Sequence, residues 1–245
     1  MKTSKFLWLP LALFLPMVFM ASASAGNLEP SGPPGSTMKS LDQVEPRIPI
    51  TSVPITIDQP GSYYLTNNLT YNGQGEAITV ASSDVTIDLM GYSLSSSADN
   101  GMGIRIIAEN VEVRNGTVRG FGWCIHSSND FSRISNTSVL DCRVIGIVVS
   151  SNSAVVGNIV SRNGGGIWTR SGNRLANNIV NGNGPYGIYI GSVGNTVIGN
   201  TVRKNEYGLI FNGGDNLVDN NVCTENSAVN MGSCNTCTFG LNHAP

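Results

Sequence analysis

The sequence predicts an all-β fold, a right-handed, three-sided parallel β-helix of roughly seven to eight coils, each about 21 residues long. Three observations carry that reading. Apolar residues recur in three columns at nearly one period, an asparagine column keeps pace with them, and no segment between them is long or periodic enough for a helix.

The first column is Ile104, Ile125, Ile147, Ile167, Ile188 and Leu209. The second is Val113, Ile134, Val156, Leu175, Ile198 and Val218, and the third is Val118, Val139, Val160, Val180, Val202 and Val222. Each repeat holds three short segments rich in β-branched residues, which stack at about 4.8 Å so that like lies over like. Asn115, Asn136, Asn158, Asn177, Asn200 and Asn220 follow the second column. Asparagine tolerates the left-handed backbone of a tight turn, and its amide both donates and accepts along a stack, so this column is structural. A leucine-rich-repeat horseshoe has an overlapping period, but the columns favour Ile and Val. Segments 173–180 and 195–202 also alternate like strands where that fold places helical turns.

The order along the chain follows. Residues 1–25 read as a signal peptide: Lys2 and Lys5 open it, Phe6 to Met20 is apolar, and Ala23-Ser24-Ala25 offers small residues for cleavage. About 15 apolar residues broken by Pro10 and Pro16 fall short of the roughly 20 that a spanning helix needs, so no stable membrane span is expected after leader removal. Residues 26–50 form a Pro/Gly-rich linker, 51–74 supply N-terminal cap strands, and 75–245 form the β-helix with a Cys-containing C-terminal cap. The expected location is secreted, periplasmic or at the cell surface.

Composition narrows the partners. Only 12% of residues are charged, and removing Lys2 and Lys5 takes the formal charge from −2 to about −4, which excludes binding driven by phosphate neutralisation. No nucleic acid partner is expected; a neutral polar surface suits sugars. Five cysteines in an exported chain point to disulfides with one thiol left over. One bridge among Cys223, Cys234 and Cys237 would lock the last coil, whereas Cys124 and Cys142 suit small inward turn positions. The Cys234-Asn235-Thr236-Cys237 stretch has only His243 near it, and no metal site is assigned.

Two stretches carry a resemblance: Ile57 to Leu65 (IDQPGSYYL) and Val85 to Leu94 (VTIDLMGYSL), followed by repeated Gly-Ile strands and Asn-Val turns. With these marks most of the chain beyond the leader resembles the bacterial exported parallel β-helix repeat proteins of the pectate-lyase-like superfamily. The resemblance implies the fold. It includes polysaccharide lyases, epimerases, hydrolases, phage tailspikes and non-catalytic surface proteins, so it sets no single activity. Calcium enters only through the resemblance, whose calcium-dependent lyases use clustered acids, whereas Asp58, Asp88 and Asp99 are scattered here. The residues themselves point to no cofactor.

Candidate functional residues are those facing outward beside the first column: Arg105, His126, Val148, Trp168, Tyr189 and Ile210. Met102, Trp123, Tyr186 and Tyr207 stand two residues before that column. Trp123, Trp168, Tyr186, Tyr189 and Tyr207 thus gather on one lateral face, as a carbohydrate-binding surface requires, although ladders also stack aromatics for stability. If the protein is an enzyme, β-elimination on a uronic-acid polymer fits best, with Arg105 neutralising the carboxylate and His126 abstracting the proton. Glycoside hydrolysis needs two carboxylates, and the aromatic stripe holds none. Arg119, Arg162, Arg203 and Lys204 read as solvated charge neutralised by Glu206 and Asp219. The expected partner is polysaccharide or a cell-surface glycan. The alternative is a non-catalytic structural or adhesive surface protein, with uniformly short turns and no concavity.

Overall fold

The computed structural model describes residues 47–98 and 100–245. The leader expected over 1–25, residues 26–46 of the linker expected over 26–50, and Asp99 lie outside the described residues; the end of that stretch is not linker, because Ile48–Ile50 is a strand paired with Tyr63, Tyr64 and Leu65. Within them the chain winds through nine coils, each giving one strand to a nine-stranded parallel sheet. The remaining strands form a 16-stranded parallel sheet that bends at a corner. Three lateral faces result. Face 1 runs from Ile55–Ile57 to Val229–Met231, face 2 from Ile48–Ile50 to Thr238–Phe239, and face 3 from Leu69–Thr70 to Val222–Cys223–Thr224. No helix occurs among the described residues. The strands expected as a cap over 51–74 stack in register as the first coil, Ile55–Ile57 on Glu76–Val80 and Gly61–Leu65 on Val85–Asp88.

The first apolar column pairs as the sequence predicts, Ile104 on Ile125, Ile147, Ile167, Ile188 and Leu209. The other two columns need correction. Face 2 stacks Ile134 on Val155 and Leu175 on Val197, so Val155 and Val197 are the buried residues; Val156 and Ile198 stand one place on and are partly exposed. On face 3 Val202 stacks on Cys223, leaving Val222 exposed.

The corners explain these slips. Each corner has a left-handed residue followed by an inward one. Between faces 2 and 3 the left-handed position holds Asn115, Asn136, Gly157, Asn177, Gly199 and Asn220. The next position is a buried ladder: the N–H of Thr137 donates to Asn158 Oδ1, then Asn158 to Asn178, Asn178 to Asn200 and Asn200 to Asn221, each at 3.0 Å. The single asparagine column of the sequence therefore merges two positions, Asn158 and Asn200 belonging to the second. Matching ladders, Asn163–Asn183–Asn205–Asn226 and Asn173–Asn195–Asn216, run down the other two corners. An amide that bonds the coils on both sides satisfies backbone groups that a corner otherwise leaves unpaired.

Cys124 and Cys142, expected as inward thiols, are bonded to each other, and Cys234 is bonded to Cys237. Cys223 is the free thiol, buried on face 3. The basic residues are neutralised by partners one coil away: Arg119 and Arg162 meet Asp141 at 3.3 and 2.7 Å, and Arg203 and Lys204 meet Glu225. Glu206 and Asp219 form none of these ion pairs, because the helical pitch brings position i+21 or i+22 beside a residue sooner than near neighbours in sequence.

Candidate functional site

Strands of face 1 alternate inward and outward, and stacking makes each outward position a row along the solenoid. The row Arg105, His126, Val148, Trp168, Tyr189 and Ile210 is confirmed by its register. A parallel row places Trp123 between Met102 and Ile145, and Tyr186 against Tyr207. The candidate residues separate into two groups along this face.

The first group is aromatic. Tyr186 lies 5.3 Å from Tyr189 and 5.6 Å from Tyr207 between ring centroids, and Trp168 meets Tyr189 edge-on at 6.0 Å. Trp168 and Tyr186 are 42% and 41% exposed, so the rings cover one another only in part. Beside them is a concavity of about 400 Å³ with a floor of Gly164, Gly165 and Gly166 and walls of Val144, Ile145, Trp168, Pro185, Tyr186 and Tyr189. The turns are short, as expected, yet the face is not flat: a run of glycines makes the hollow without any long loop.

The second group is polar and lies two to four coils before Trp168, toward the N-terminus. Arg105 Nη1 bonds Glu76 Oε1 at 2.9 Å, and Trp123 tilts against the His126 ring at 5.3 Å. Burial pushes the His126 imidazole below its ordinary range, and the charges of Arg105 and Arg170 push it the same way. Its Nδ1 is buried and meets no hydrogen-bond partner among the described residues. Glu76 was missed in the sequence. It belongs to face 1 because it pairs with Met102, and the signal for it was its place two residues before Ile78, the same offset as Trp123 from Ile125. Trp123 belongs with this group, separated from Trp168 by the Ile145–Val149 strand.

Among the described residues no three His, Cys, Asp or Glu side chains converge where they share a metal ion. Asp88 is committed to Arg114 at 3.1 Å and to the Met90 N–H at 2.9 Å. Calcium therefore finds no carboxylate cluster among the described residues.

Residues 55–202 match the family described as right handed beta helix region. No curated protein matches the chain in sequence. Among solved structures, ORF18 of Geobacillus virus E2 superposes with a TM-score of 0.51 at 9% identity, over 80% of this chain and 50% of that one. The Dettilon tailspike protein superposes with a TM-score of 0.42 at 12% identity, over 79% of this chain and 61% of that one. The chain spans about half the length of the first, and at such identity the likeness is one of fold alone.

Proposed function

The chain belongs to the right handed beta helix family, and on that premise we propose that it binds polysaccharide or a cell-surface glycan along face 1. One observation carries the reading: Trp168, Tyr186 and Tyr189 stand around one open hollow lined by apolar side chains and glycines. Aromatic faces pack against the C–H faces of pyranose rings, and an exposed apolar patch rimmed by polar groups marks an interaction surface. The polar group at the other end supplies contacts to sugar hydroxyls. Arg105 already faces the Glu76 carboxylate, which favours binding over β-elimination, since the latter asks for an arginine open to the substrate's own carboxylate. Two disulfides support a location outside the cytoplasm.

The test is a screen of the full chain against acidic and neutral polysaccharides, reading binding by calorimetry and unsaturated products by ultraviolet absorbance. Binding without turnover that is lost in Trp168→Ala is the expected result. Absorbance growth that disappears in His126→Ala moves the protein to the lyases. Silence on both counts leaves the structural or adhesive surface role.

A further inference from the structure

Trp123, Ile145, Gly165, Tyr186 and Tyr207 occupy one outward position of face 1 in successive coils. Trp123 pairs with Ile145 and Tyr186 with Tyr207, while Gly165 follows from the pairing of Ile167 with Ile147 and Ile188. Four bulky side chains are interrupted by a residue with none.

Neither backbone nor packing asks for glycine there. A Cβ on Gly164 would lie 2.1 Å from the Arg143 carbonyl oxygen, and one on Gly166 would lie 2.1 Å from that of Gly187. Those two glycines are fixed by close approach. At Gly165 the φ angle is not left-handed, and a Cβ would meet Ile145 Cγ1 at 3.4 Å and the Val144 carbonyl oxygen at 3.6 Å, which are ordinary contacts. What the missing side chain creates is a slot in the aromatic face, with Ile145 and Tyr186 on its two sides. Within the slot the Val144 carbonyl accepts no hydrogen bond among the described residues.

Apolar walls with one free carbonyl suit a group that pairs a methyl with an N–H. We infer that the slot left by Gly165 receives the acetamido group of a 2-acetamido-2-deoxy sugar, its methyl toward Ile145 and Tyr186 and its N–H donating to Val144. This rests on the glycan reading of face 1. A plain hydroxyl at the same place can donate to the same carbonyl but leaves the apolar walls unfilled.

The experiment is calorimetric titration of the full chain with chitotetraose and with cellotetraose, which share a β-1,4 backbone and differ in acetamido against hydroxyl at C2. Chitotetraose is expected to bind about five- to tenfold tighter, the size set by burial of the acetyl methyl, since both sugars carry a donor at C2. Gly165→Leu, which fills the slot, brings the two within about threefold of each other, and Trp168→Ala weakens both. Gly165→Ala, whose added methyl meets only ordinary contacts, is the second variant and narrows the preference part-way. Equal binding by the unmodified protein, or a preference that survives both Gly165 variants, overturns the inference and leaves the glycan reading standing. So does failure of both tetrasaccharides on a protein that binds other glycans. Failure of every glycan in the screen removes both.

Discussion

Cys124 and Cys142 are bonded, Cα atoms 5.9 Å apart, in the two positions that the following coils fill with a glycine and an asparagine. A Cβ on Gly146 would come within 2.9 Å of Asn163 Nδ2, and one on Gly187 within 2.7 Å of Asn205 Nδ2. The disulfide takes the volume that the ladder amide takes elsewhere. Only the Cys142 N–H, donating to Asn163 Oδ1 at 2.8 Å, continues the ladder's pattern.

That equivalence predicts a rescue. Cys142→Ala loses the bridge and costs about 2–4 kcal/mol in urea unfolding, the usual range for a loop of this size. Cys124→Gly combined with Cys142→Asn recovers at least about half of that loss. The new amide donates to Asn163 Oδ1 and to the coil before, as Asn163 donates to Asn183 Oδ1 at 2.9 Å and to the Val139 carbonyl at 3.1 Å. A double variant no more stable than the single one contradicts the equivalence.

Adjacent asparagines at one corner are expected to differ sharply. Asn178 accepts from both the N–H and Nδ2 of Asn158 at 3.0 Å and donates to the Val155 carbonyl at 2.8 Å, all out of contact with water. Asn178→Ala orphans two buried donors and costs roughly 2–6 kcal/mol. Asn177 is exposed at φ 56°, a conformation glycine adopts freely, so Asn177→Gly stays within about 0.5 kcal/mol. Urea unfolding of the two variants in parallel checks the contrast.

The same corner shows how far the fold was legible. Ile104 through Leu209 form the correct column because face 1 has nearly constant spacing and no left-handed residue inside its strands. The second column slipped at Val156 and Ile198 because Gly157 and Gly199 take over the left-handed position there. The ladder residues Asn158 and Asn200 then resemble the turn asparagines of other coils. Asn177-Asn178 and Asn220-Asn221, read as two positions, supply the missing register. Cys124 and Cys142 were legible in principle, one standing in the glycine column and the other in the ladder column. The outward rows of face 1 were read correctly, but the hollow was not, because it arises from the absence of a side chain at Gly165, and absence leaves no periodic mark.

His126 gives a pH dependence with a definite sign. Its imidazole is held below the ordinary range by burial first and then by Arg105 and Arg170, so the folded state favours the neutral ring. Stability from this source is present above the unfolded value of about 6.5 and is lost as pH falls below it toward the lowered folded value. Melting temperature should decline across that interval, and His126→Gln should flatten the decline. An NMR titration of the His126 ring with a midpoint at or above the ordinary value contradicts the assignment.

Cys223 is expected to be chemically silent while the last coils hold. Its thiol sits in the face 3 column, fully buried beneath Val202, and burial pushes it up to about 12. The thiolate is the nucleophile, so at pH 8 the native protein presents almost none of it to an aromatic disulfide reagent. One equivalent of thiol should react in denaturant and almost none in buffer. Slow native labelling should follow opening of the C-terminal coils rather than thiol chemistry, because a solenoid frays from its ends. Cys223→Val restores the residue type that Val118, Val139, Val160, Val180 and Val202 place in this column, and it should hold stability within about 1 kcal/mol while abolishing the labelling. Rapid native labelling, at a rate independent of added denaturant, contradicts the buried placement.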